Sequence, residues 1–191
     1  MKKILFSLLL FIPLFTIAQN KGSEEHLTFK DIPINGSIQE FVTELTRIGF
    51  KVTLNESSLA AMDGTFANKN CELIIGATSK SKKVYTILVK FNKSNSWYSL
   101  KHDYNEFKQL LQQKYHIKPD VTENFYDPYY EGDGYELQAL KRDKCIYIST
   151  FKLINGEIVL YISDEVRIQY IDKINSGINK QEEKSNAYDD L

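Results

Sequence analysis

A change of hydrophobic period, made twice, is the strongest constraint on how this 191-residue chain folds. A helix is signalled at Ser37. Glu40 follows three residues on, the spacing at which each side chain satisfies a free backbone N–H of the other at a helix start. Ile38, Phe41, Val42, Leu45 and Ile48 then recur at helical spacing along one face, and Gly49 is placed to end the helix. From Phe50 the period drops to two. Phe50, Val52 and Leu54 alternate; Thr65 to Ala67, Cys71 to Ala77 and Val84 to Phe91 read as three strands. The turn-forming segments between them, Asn68-Lys69-Asn70 and the Ser/Lys-rich stretch Thr78 to Lys83, predict antiparallel pairing of neighbours.

The same change recurs further on. A second helix is predicted from about Tyr98 to Tyr115, with Leu100, Tyr104, Phe107, Leu110 and Leu111 on one side and Lys101, Asn105, Lys108 and Gln112 on the other. Pro119 lies beyond its end, and Trp97 just ahead of it reads as a core anchor. Strands resume at Leu137 to Lys141, Cys145 to Leu153, Glu157 to Ile162 and Val166 to Ile171, with Asn155-Gly156 predicted to form a type I′ hairpin turn. A short extended entry through Leu27, Phe29 and Ile32 ends at Pro33, and the polar stretch 176–191 reads as a disordered tail.

The fold class is therefore α+β: an antiparallel β-sheet with the two amphipathic helices packed on one face. Residues 19–95 and 96–175 share the order helix, connection, strands, with Cys71 and Cys145 opening apparently equivalent strands 74 residues apart. That order has two readings, tandem helix-plus-hairpins repeats or one α+β fold with a coincidental succession.

Ahead of this domain, Lys2 and Lys3 lead into an apolar run of fourteen residues, Ile4 to Ile17, followed by small Ala18 and polar Gln19. That is the layout of a secretory signal over residues 1–18, cleaved after Ala18; the competing reading is an uncleaved membrane anchor, for which the run is shorter than the roughly 18–20 residues of a membrane-crossing helix. With no cysteine beside the cleavage point to take a lipid, no stable membrane anchor is expected after cleavage. Loss of Lys2 and Lys3 moves the net charge from −1 to −3, a balance that supplies no electrostatic footprint for nucleic acid. In an oxidising compartment, Cys71 and Cys145 are either a disulfide or two separate buried thiols, since each begins an apolar strand. Neither has a second cysteine or a histidine at metal-ligand spacing.

Chemistry-bearing residues concentrate in Asn124-Phe-Tyr-Asp-Pro-Tyr-Tyr-Glu-Gly-Asp-Gly-Tyr-Glu136. Tyr126, Tyr129, Tyr130 and Tyr135 offer flat amphipathic faces suited to a sugar ring or a partner surface. Asp127, Glu131, Asp133 and Glu136 offer oxygen ligands, but their spacing departs from that of an EF-hand loop. The bland alternative is an insertion whose tyrosines pack back on the sheet. Asp127, Glu131 or Glu136 could instead supply the two carboxyls of an envelope hydrolase, although a Gly-rich loop is a poor frame for a fixed separation. His26, His102 and His116 sit in no metalloprotease or nucleophile pattern, and no phosphate-binding or dinucleotide motif occurs. No residue pattern calls for a cofactor. Asn35, Asn55 and Asn92 stand in Asn-x-Ser sequons, which matter only in a glycosylating host.

The segments Leu27 to Phe41, Gly64 to Cys71 and Tyr170 to Asn175, with the ending Asp189-Asp-Leu191, resemble an uncharacterised family of small secreted proteins from Bacteroidota. The resemblance implies export from a Gram-negative cell, to the periplasm or the exterior, and brings no catalytic residues. At the level of fold, the doubled order is similar to the tandem α/β repeats of β-lactamase-inhibitor proteins, and Phe29 to Leu54 resembles the short N-terminal domain of secretins and TonB receptors. The expected function is a non-enzymatic module that presents its sheet face or its tyrosine-rich loop to a protein or glycan of the envelope. The alternatives are the hydrolase above and a purely structural subunit.

Overall fold

A computed structural model describes residues 25–189; the leader 1–18 and its cleavage point after Ala18 lie outside the described residues. The chain opens with a small hairpin, β1 (Thr28–Phe29) and β2 (Ile32–Pro33), followed by helix α1 (Ile38–Arg47) and strands β3 (Lys51–Asn55), β4 (Leu59–Phe66), β5 (Lys69–Ala77) and β6 (Val84–Phe91). Helix α2 (Trp97–Tyr115) comes next, then β7 (Asp120–Phe125), a short helix α3 (Glu136–Lys141), β8 (Cys145–Leu153), β9 (Gly156–Ile162), β10 (Val166–Asp172) and helix α4 (Lys173–Asp189). Strands β3 to β10 form one antiparallel sheet in the order β3-β4-β5-β6-β10-β9-β8-β7. A helix followed by four strands thus occurs twice, and the fourth strands of the two sets, β6 and β10, pair to join them.

Local signals account for α1 and α2. Ser37 caps α1 by accepting from the Glu40 N–H, while the Glu40 carboxylate accepts from the Ser37 N–H at 2.8 Å. Ile38, Phe41, Val42 and Leu45 are buried against β3, β4 and β5. Full burial of side chains of this size stabilises by about 1.5–3 kcal/mol each. Helix α2 starts one residue earlier than predicted, capped by Ser96, and buries Leu100, Tyr104, Phe107 and Leu111 against β9 and β10. Both helices share one core, in which Phe107 stacks on Phe91 with ring centroids 4.4 Å apart and the buried Tyr104 hydroxyl meets Ser149 Oγ at 2.5 Å. Trp97 anchors the start of α2 edge-on to Phe125 and Tyr147.

Several expectations are corrected. Residues 137–141 are helical, not a strand. Leu137, Ala139 and Leu140 all pack toward the core only on a helical turn, and the Ala139 N–H donates to the Tyr135 carbonyl. Strand β7 was not signalled, because as an edge strand it buries almost nothing and its polar sequence shows no period. The hairpin of β8 and β9 turns through Ile154 and Asn155 rather than Asn155-Gly156, since Leu153 pairs with Gly156 and neither turn residue has positive φ. Positive φ at both turn positions, the type I′ signature, occurs instead at Lys30-Asp31 and Ala67-Asn68.

The cysteines do not pair. Cys71 lies on the third strand of the first set and Cys145 opens the second strand of the second, so they are not equivalent. Between β5 and β8 stand β6, β10 and β9; four inter-strand spacings amount to about 19 Å, far beyond the Cα separation of about 4–7 Å that a disulfide requires. Both thiols are free and buried, and burial pushes Cys71 up to about 11 and Cys145 up to about 12. Neither has the thiolate character of a reactive cysteine.

The stretch predicted as a tail is α4, which crosses the ends of β9, β10 and β6. Its hold is polar, which is why apolar periodicity missed it. Buried Asn175 donates from Nδ2 to the carbonyls of Val84 and Ile34 at 2.8 and 3.1 Å. One full turn and more beyond, the Glu182 carboxylate accepts from the backbone N–H of Lys80 at 2.6 Å and of Ser81 at 2.9 Å in the β5–β6 loop. Hydrogen bonds from the Ser81 side chain first, then from these amides, hold Glu182 down to about 2 from its ordinary 4.5. A lowered folded-state pKa means the contact stabilises fully above pH 4.5 and is lost as pH falls from there through about 2. In an NMR titration, the Lys80 and Ser81 amide resonances are expected to move together with a midpoint near 2 and to lose that transition in Glu182→Gln. A midpoint at the ordinary glutamate value would show that the contact is not made.

Candidate functional site

The tyrosine-rich loop spans the connection from β7 to α3, and its acids are spent on its own shape. Glu131 reaches back to Lys101 on α2 and accepts from the Tyr147 hydroxyl of β8 at 3.3 Å. The Lys101 ammonium is the main cause of its lowered pKa. Asp133 accepts from the N–H groups of Tyr130 and Tyr135 at 3.1 and 2.7 Å, and Glu136 accepts from Gly132 N–H at 2.9 Å. Three of the four loop carboxylates therefore close turns or clamp the loop to the body. Among the described residues, no three of these acids converge closely enough to share a cation. The four tyrosines divide: Tyr126, Tyr130 and Tyr135 are exposed, whereas Tyr129 is half-buried and packs against the core.

The histidines also find structural surroundings. His26 bonds through Nδ1 to buried Asp172 at 3.1 Å, and His102 stacks on Tyr98. His102, Asp103 and Glu106 are the one set of three close ligand-type side chains among the described residues. Lys69 Nζ lies 3.0 Å from Asp103 and 3.3 Å from Glu106, so this acidic pair already serves a cation of the chain itself.

The second face of the sheet, opposite α1 and α2, presents the most extended surface. Cross-strand partners share a face, so the registers trace whole rows across it. One row runs Asp63, Glu72, Lys90, Arg167, Tyr161 and Ile148 from β4 to β8. The neighbouring row runs Ala61, Ile74, Leu88, Gln169, Val159 and Thr150. The first row is charged and internally paired, with Lys90 Nζ 2.6 Å from Glu72 and Arg167 6 Å or less from the Tyr161 ring, at 5.9 Å. The second is mostly apolar and, apart from Ala61, only partly buried.

Above the charged row the face cups into a concavity of about 670 Å³ lined by Thr65, Asn70, Glu72, Lys90 and Asn92. Glu165, from the β9–β10 turn, lies at its side. Its carboxylate is buried; Oε1 accepts from Arg167 Nε at 2.7 Å, and Oε2 has no hydrogen-bond partner among the described residues. Burial above all raises its pKa. Neighbouring Asp164 is driven the other way, chiefly by Lys93 at 2.5 Å.

The sequence carries one signal of this face. Leu73-Ile74-Ile75, Ile87-Leu88-Val89 and Ile158-Val159-Leu160 are unbroken apolar triplets. A strand with one solvated face alternates, so the central residue of each triplet is an apolar group sent to the second face.

Against known proteins the chain stands apart: no family model, no curated protein and no solved structure matches it.

Proposed function

We propose that the protein is an exported, non-enzymatic binding module that receives a protein partner on the open face of its sheet. The observation that carries this reading is the pair of rows just described, an apolar strip beside a strip of mixed charge. Apolar contact with a polar rim is the composition of a protein interface, and here partly exposed Ile74 and Leu88 lie on one side of Gln169 and Val159 on the other. Eight strands about 4.8 Å apart and up to about 25 Å long present roughly 800 Å², the share each partner contributes to a standard interface. Mixed charge favours a protein over a polyanion. The clamped loop with exposed Tyr126, Tyr130 and Tyr135 supports a second reading, in which the contact is a glycan or protein held on those rings.

Site-specific photo-cross-linking in the envelope of the source cell tests both. A cross-linker at Gln169 is expected to trap a discrete partner, one at Gln113 on the helical side is not, and Leu88→Asp is expected to abolish the Gln169 product. Cross-linking that ignores the face, or that survives Leu88→Asp but is lost in Tyr130→Ala, would move the contact to the loop. Turnover in a broad glycan and peptide screen would replace both readings with the hydrolase.

A further inference from the structure

On the helical side, at the seam of the two helix-plus-strands sets, a cleft of about 600 Å³ opens between the end of α1 and the last turns of α2. Small-molecule sites occupy about 300–1,000 Å³. Its floor is apolar, made by Phe66, Phe107, Leu111, Ile168 and Tyr170. Its lips are Ile48 and Leu110, which belong by spacing to the apolar stripes of their helices and yet are 48 % and 44 % exposed. The two helices follow different halves of the sheet, α1 over β3 to β5 and α2 over β9 and β10, so the cleft lies where their apolar stripes part.

The rim carries a different chemistry. Lys30, on the β1–β2 turn, holds its Nζ 5.6 Å from the centroid of Phe50 and 5.9 Å from that of Phe66. Lys114 holds its Nζ 5.4 Å from Tyr115. Neither is in an ion pair with any described residue. Asp31 is the sole carboxylate lining the cleft, so two ammonium groups against one carboxylate leave the rim net positive. Ring faces attract these cations and leave their exposed N–H groups uncommitted to any carboxylate of the described residues, so a ligand carboxylate could take charge-assisted bonds from both.

We propose that this cleft binds an amphiphilic carboxylate, its hydrocarbon chain on the aromatic floor and its headgroup between Lys30 and Lys114. The charge complementarity separates this ligand class from neutral and cationic amphiphiles of equal chain length. Calorimetric titration of the full chain with dodecanoate and dodecyltrimethylammonium below their micellar concentrations, and with dodecanol below its solubility limit, reads the difference. Dodecanoate is expected to bind one per chain, at least tenfold more tightly than dodecanol, with no binding of the cation. The double substitution Lys30→Gln and Lys114→Gln, both exposed and without ion pairs, is expected to bring dodecanoate down to the level of dodecanol, and Leu110→Glu to remove binding of both. Equal affinity for acid and alcohol, dodecanoate binding untouched by the lysine substitutions, or no binding of dodecanoate at all would each overturn the proposal.

Discussion

Asp172→Ala is expected to lower the free energy of unfolding by about 2–5 kcal/mol, because buried donors lose their acceptor. Asp172 is fully buried at the end of β10, and its two oxygens serve three donors, one from the next turn of chain and two from the segment ahead of β1. Oδ1 accepts from the Asn175 N–H at 2.8 Å and from His26 Nδ1 at 3.1 Å, while Oδ2 accepts from the Leu27 N–H at 2.9 Å. Without the carboxylate, two backbone N–H groups lose their acceptor at this site, each costing about 1–3 kcal/mol. The loss would spread, because Leu27 leads the segment that places Phe29 against Tyr170 and Phe66, and Asn175 begins the hold of α4. Asp172→Asn, which keeps one carbonyl acceptor, should fall between wild type and alanine in urea unfolding. A loss below about 1 kcal/mol for the alanine variant would show that the network is not made as described.

Gly156→Ala should cost about 2–4 kcal/mol, the upper range for forcing an atom into packed structure. An added Cβ would stand 2.2 Å from the Ile171 carbonyl oxygen and 3.1 Å from a Leu27 methyl. The carbonyl belongs to the backbone of β10, paired to β9 and β6, so rotation of a side chain cannot relieve the clash. Gly177 provides the contrast. It lies inside α4 with nothing within 4 Å of its added Cβ, so Gly177→Ala should stabilise by about 0.5–1 kcal/mol through helix propensity alone. Thermal melts of the two variants should therefore shift in opposite directions, and a neutral Gly156→Ala would mean that β9 and β10 approach less closely here.

Gly156 also shows how far local sequence carries. Asn155-Gly156 is turn chemistry by composition, and a turn does occur there, but the glycine is needed one position later for a contact with a strand fifteen residues on. The capping box at Ser37 and the apolar stripes of α1 and α2 were legible because every interacting group lies within one or two turns. Helix α4 was not, since Asn175 and Glu182 lie about a hundred residues from their hydrogen-bond partners and leave no apolar period. The tyrosine loop was legible as an unusual composition only. That Tyr129 turns inward while Tyr126, Tyr130 and Tyr135 face solvent depends on where Glu131 finds Lys101 and Tyr147.

By itself the sequence determined the fold class, the two amphipathic helices and the doubled succession of a helix and antiparallel strands, because periodicity, capping and turn propensity act over a few residues of contiguous chain. Only the tertiary structure decided that β6 and β10 join the two sets, that Cys71 and Cys145 stand four strands apart, and that an apolar row and a charged row line up across the open face. Those outcomes follow from register between strands up to about 85 residues apart, and a shift of one residue would send each row to the other face.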